Sequence, residues 1–223
     1  MLFSSVDKKL DFLDNVCNLS EISDETWNCI VALSVDNCSE VRMMVAENLF
    51  YFSDERSERL LFDLLDDSDY LVRCAACISL QNRNSICVFD KLLLKTNDQN
   101  YLVRGYAAMS ATTVAVDNGL NVVPELEGCL FGLLSDSNEW VIIASLYSFV
   151  LLGKFEYEER LLHFLNSNNY QYRSFTLTLL EELIDKKMIK NVCKMSNALT
   201  DRLQKEKNEQ IYDKISSLLN KCQ

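Results

Sequence analysis

Apolar positions recur along the chain with a period of about thirty residues. Val41-Arg42, Val72-Arg73 and Val103-Arg104 stand 31 residues apart. After each Val, the residues at +4, +5 and +8 are small or apolar: Val45, Ala46 and Leu49; Ala76, Cys77 and Leu80; Ala107, Ala108 and Ala111. Fainter copies are anchored on Val141, Tyr172 and Ile211. Upstream, position −11 holds Ile30, Leu61, Leu92, Leu130 and Leu161, and position −8 holds Leu33, Leu64, Lys95, Leu133 and Phe164. Spacings of three and four place such residues on one helix face, so each unit is predicted to be a pair of antiparallel helices, six pairs in all.

Polar positions mark the turns. Position −3 from the anchor is Asp69, Asn100, Asn138, Asn169 and Asn208, residues whose side chains accept hydrogen bonds from the free N–H groups of a helix start. Cys38 departs from that rule. Position −5 adds Asp36, Asp67, Asp98 and Asp136, favoured near the positive end of the second helix. Two anchor spacings are 38 and 39 rather than 31. Extra residues therefore enter before units four and six, the first expected at Asp117-Asn118-Gly119, upstream of the sole proline, Pro124. Residues 4–18, with Val6, Leu10, Leu13 and Cys17, read as an amphipathic helix capping the first repeat. The expected organisation is one repeat domain over 1–223, with a cap helix in 1–22, five repeats in 23–185 and a basic terminal repeat in 186–223.

The run Leu64-Leu65-Asp66-Asp67-Ser68-Asp69-Tyr70-Leu71-Val72-Arg73-Cys74-Ala75-Ala76-Cys77-Ile78-Ser79-Leu80 resembles the HEAT-repeat family, in particular the short bacterial HEAT-like repeats also found in phycobilisome lyases. The resemblance covers roughly residues 23–221. It implies an all-α fold, a right-handed α-α superhelix of about six helical hairpins. It also implies a ladder between repeats that joins the turn acids Asp36, Asp67, Asp98 and Asp136 with Arg42, Arg73, Arg104 and Arg173. Ile142 and Tyr212 stand where Arg is expected in units four and six, so the ladder should break there.

The resemblance further implies that the second helices line a concave surface. With 100° per residue, positions −2, +2, +6 and +9 lie opposite the packed face. They include Met43, Phe50, Tyr70, Ile78, Tyr101, Met109, Ile143, Tyr147, Val150 and Tyr170. This set is poor in charge and rich in Tyr, Met and Ile, the types enriched at interface centres. It reads as a protein-binding groove, against the alternative that curvature or neighbouring side chains bury part of it.

Charge narrows the choice of partner. The formal net charge is −11, against the basic footprint of a phosphate-binding protein, so a basic protein partner is expected and nucleic acid is disfavoured. Residues 186–223 carry 9 Lys and Arg against 4 Asp and Glu, and residues 1–185 carry 13 against 29. No apolar run of ~20 residues spans a bilayer, and the start, Met1-Leu2-Phe3-Ser4-Ser5-Val6-Asp7, has no basic or apolar leader pattern. A cytoplasmic location is expected, with the nine Cys as reduced, buried thiols.

Catalytic chemistry finds little footing. His163 is the only histidine, too few for a His-rich metal shell. Cys74-x-x-Cys77 lacks both a second pair and a βαβ context, so packing is its expected role. The neighbouring carboxylates Glu158-Glu159 and Glu181-Glu182 point in different directions on a helix and read as solvated faces. No catalytic residues, metal or cofactor are expected. The favoured function is a non-catalytic scaffold or adaptor, one form being an acidic inhibitor or immunity protein for a basic toxin. The alternatives are a HEAT-like lyase or chaperone subunit for a chromophore, or a protein similar to HEAT-like nucleic-acid glycosylases.

Overall fold

The computed structural model describes residues 3, 5–19, 21–120 and 122–222, the Val123 side chain excepted. Met1, Leu2 and Ser4, read above for a leader and for the cap helix, lie outside them. The described residues form thirteen α-helices and no strand, divided between two compact units, residues 1–121 and 122–223.

Unit 1 contains α1 (Val6–Val16), α2 (Asp24–Leu33), α3 (Ser39–Asn48), α4 (Glu55–Leu64), α5 (Tyr70–Leu80), α6 (Ile86–Lys95) and α7 (Tyr101–Asp117). A 3-10 turn, Leu49–Tyr51, extends α3. Unit 2 contains α8 (Val123–Leu133), α9 (Glu139–Leu151), α10 (Glu158–His163), α11 (Tyr170–Asp185), α12 (Val192–Leu203) and α13 (Glu209–Lys221). Helices α2 to α13 pair into hairpins, each second helix starting just after a −3 residue.

Those residues cap as their chemistry dictates. The side chains of Asp69, Asn100, Asn138 and Asn169 accept from the backbone N–H two residues on, at 2.8 to 2.9 Å, and Asn208 accepts from Ile211 at 3.1 Å. Each such cap stabilises a helix start by about 1 kcal/mol. Cys38 makes no side-chain cap.

The core is the anchor register. Val41, Val72, Val103, Val141 and Ile211 are buried, as are Val45, Ala46, Ala76, Cys77, Ala107 and Ala108 around them. In unit 1 the second helices pack side by side, α3 on α5 and α5 on α7, while α1 packs on the other side of α3. In unit 2, α9, α11 and α13 pack in the same succession.

The extra residues of the long spacings lengthen helices rather than loops. Helix α7 has 17 residues against 11 in α5, because Ala111, Val114 and Ala115 continue the buried face. It ends at Gly119, whose φ of 58° is the left-handed conformation that glycine tolerates best. Helix α11, with 16 residues, ends before Lys187, also at φ 58°.

Candidate functional site

Each −5 residue makes the same turn. The side chain accepts the backbone N–H two residues on: Cys38 to Asp36, Asp69 to Asp67, Asn100 to Asp98, Asn138 to Asp136, Asn169 to Ser167 and Asn208 to Glu206. Arg42, Arg73, Arg104 and Arg173 then donate through Nη1 to the carbonyl of their own unit's −5 residue, at 2.7 to 2.9 Å.

The remaining guanidinium edge reaches forward. Arg42 donates through Nε and Nη2 to Asp67, both at 2.7 Å, and Arg73 to Asp98 at 2.9 and 2.8 Å. Such two-pronged pairs fix orientation as well as charge. The guanidinium holds each carboxylate ionised against the opposing effect of burial, so Asp67 and Asp98 lie below the usual aspartate range. At the near end, Lys9 of α1 pairs with Asp36. Helix α1 thus supplies the cation that the second helix of a preceding repeat would supply.

Arg173 reaches forward to Glu206. The distances are 2.8 Å from Nε and 3.0 Å from Nη2, and Arg202 adds two more bonds to the same carboxylate at 2.9 and 2.8 Å. Glu206 is the −5 residue of unit six, so the forward rule holds with Glu in place of Asp. A search for aspartate alone overlooks it; counting five residues back from Ile211 finds it.

The candidate groove residues divide. In unit 1, Tyr70 and Tyr101 are each 38% exposed, and Met43, Phe50, Ile78 and Met109 are partly exposed. In unit 2, Tyr170 is exposed, but Ile143, Tyr147 and Val150 are buried. The last three are therefore no part of an open surface. They belong to a helix enclosed on nearly all sides, since Val141 and every residue from Ile143 to Leu151 are buried, and its largely apolar sequence is compatible with that enclosure.

Burial pushes the Cys74 thiol up to about 12 and the Cys77 thiol higher still, so neither is a thiolate at neutral pH. His163 is exposed, with its ring 6.5 Å from that of Phe164. Glu158 is buried and accepts the backbone N–H groups of Lys190 and Asn191. Glu159, Glu181 and Glu182 pair with Lys194, Lys221 and Lys186. Among the described residues, no three His, Cys, Asp or Glu side chains gather as metal ligands would, and no helix is long and apolar enough to cross a membrane.

Comparison with known proteins agrees with this geometry. The model of HEAT repeats matches residues 29–110, which span α3 to α6 and parts of α2 and α7. No curated protein matches the sequence. Among solved structures, the chain is similar to YibA of E. coli, with TM-score 0.60 and 18% identity over 96% of this chain and 75% of that one. It is also similar to the complex of CpcE and CpcF of phycocyanin lyase from Nostoc sp. PCC7120, with TM-score 0.59 and 16% identity over 100% of this chain and 91% of that one. At such identities the likeness is one of fold. Residues 29–110 match HEAT repeats, and the chain carrying them has an all-α, HEAT-like fold.

Proposed function

We propose that this chain is a non-catalytic scaffold that grips a protein partner on the exposed face of α3, α5 and α7. The observation that carries the reading is the row formed by Met43, Tyr70, Ile78, Tyr101 and Met109, partly exposed on helices whose opposite faces are fully packed. Tyr and Met give large contact area at low conformational cost, and exposed apolar patches mark interfaces. Residues 1–121 carry 10 Lys and Arg against 19 Asp and Glu, a net of −9, which favours a basic partner and speeds its approach. An inhibitor of a basic protein in the cytoplasm is the specific form of this role. The fold likeness to a lyase complex extends to the fold alone, and no side-chain arrangement described above favours chromophore chemistry.

The test is affinity capture from the native cell with the wild-type chain and with Tyr70→Ala/Tyr101→Ala. Both side chains are exposed, so the helical circular dichroism of the variant should be unchanged. A stoichiometric partner held by the wild type should be lost or strongly reduced with the variant. Equal capture by the folded variant would refute the assignment of this face.

A further inference from the structure

At the carboxyl end of α3, a cleft of about 300 Å³ is lined by Glu47, Phe50, Tyr51, Ala75, Ile78, Ser79 and Gln81. Its walls are mostly apolar, with one carboxylate among them. The rings of Phe50 and Tyr51 stand nearly perpendicular, 82° apart with centroids at 5.4 Å, and Tyr51 is 64% exposed. Glu47 has no salt bridge or hydrogen bond among the described residues, whereas Glu55, Glu127 and Glu159 are all paired with cations. Glu47 is exposed at the rim, and partial desolvation raises its carboxyl above the usual glutamate range.

The cleft is held in shape from behind. The buried Arg83 donates through Nη2 to the carbonyl of Leu49 at 2.6 Å, anchoring the turn that carries Phe50 and Tyr51. Asn118, just past α7, donates to the Arg83 carbonyl at 3.1 Å. Three hairpin ends are thereby tied at this edge of unit 1.

We propose that this cleft receives the side chain of an arginine from the bound protein segment, an assignment that rests on the scaffold reading above and adds the partner's chemistry to it. A planar guanidinium stacks on an aromatic face while its edge offers donors in a fixed fork. Here the rings of Phe50 and Tyr51 supply faces, Glu47 a charged acceptor, and Gln81 a neutral one. A lysine would keep the charge but lose the stacking and the fork. The net charge of −9 on unit 1 favours such a residue in the approaching segment.

Methyl NMR of Ile78 and Ala75 tests this with N-acetyl-arginine N-methylamide, beside its lysine and citrulline counterparts. The arginine derivative should give saturable shifts, lysine should bind more weakly, and the uncharged citrulline should bind worst. Glu47→Gln should weaken arginine binding about tenfold, the loss of one charged partner, and Tyr51→Ala by about two- to fivefold. Glu25→Gln, the same charge change on exposed α2, should have no effect. Absent shifts, citrulline binding as well as arginine, or an equal loss in Glu25→Gln would overturn the proposal. Failure here, with partner capture still lost in Tyr70→Ala/Tyr101→Ala, would remove the cleft and leave the scaffold reading intact. Arginine binding with capture unchanged by the tyrosine substitutions would do the reverse.

Discussion

Glu206→Gln removes one charge and almost no volume from the most heavily bonded carboxylate of unit 2. Four N–H groups of Arg173 and Arg202 reach it within 3.0 Å, and the backbone N–H groups of Lys207 and Asn208 add two more at 3.0 Å. Its side chain is 1% exposed and that of Arg173 is 9% exposed. Burial opposes ionisation, but the bonds from Arg173, Arg202 and the two backbone groups outweigh it and bring the carboxyl down from 4.5 to about 2. Glutamine keeps one acceptor oxygen and turns an amide donor toward the guanidinium groups. Removing one partner of a buried ion pair costs about 3–5 kcal/mol, and the retained oxygen places this variant near 3 kcal/mol by the same scale.

The assay is urea unfolding followed by Trp140 in a Trp27→Phe background, which leaves α9 with the only tryptophan emission, since the chain has two tryptophans. With a urea slope of about 1–2 kcal/mol per M for a unit of this size, the midpoint should fall by about 1.5 M or more. The pH dependence has a definite sign. The folded carboxyl stays ionised down to about pH 2, whereas the unfolded one protonates near 4.5, so protons favour the unfolded chain between those values. Wild type should exceed the variant fully above pH 5, and the gap should close as pH falls toward 2. A midpoint within about 0.3 M of wild type at pH 7, far below the shift expected from the urea slope, would refute the energetic weight given to this carboxylate. So would a gap that does not depend on pH.

Two further outcomes follow from local geometry. Gly132→Ala should stabilise the chain by about 0.5–1 kcal/mol, because the position is helical and an added methyl meets nothing within 4 Å. Gly119→Ala, equally unobstructed, should destabilise by about 1 kcal/mol because its φ is 58°; thermal melts of the two variants give the comparison. A thiol reagent at neutral pH should label the exposed Cys87 and Cys193 first and spare Cys74 and Cys77 until the chain unfolds, which mass spectrometry of labelled peptides reads directly.

What the amino-acid sequence alone determined is local in origin. Helix faces follow from residues three and four apart, and the caps at Asp69, Asn100, Asn138, Asn169 and Asn208 from side chains reaching backbone two or three residues on, so both are legible without knowing any neighbour. The arginines at 42, 73 and 173 were visible in the same register. Which carboxylate each meets was decided by the next hairpin, 25 residues ahead for Arg42 and Arg73 and 33 for Arg173, where Glu206 replaces the expected aspartate.

Exposure likewise belongs to the tertiary structure. The same helical offset leaves Tyr70 open and buries Tyr147, because burial is a property of everything packed around a helix and not of its own periodicity. The cleft beside Glu47 is of that kind as well. It is made where the end of α3 meets α5, which brings Ala75 and Ile78 to line the same cleft as Glu47.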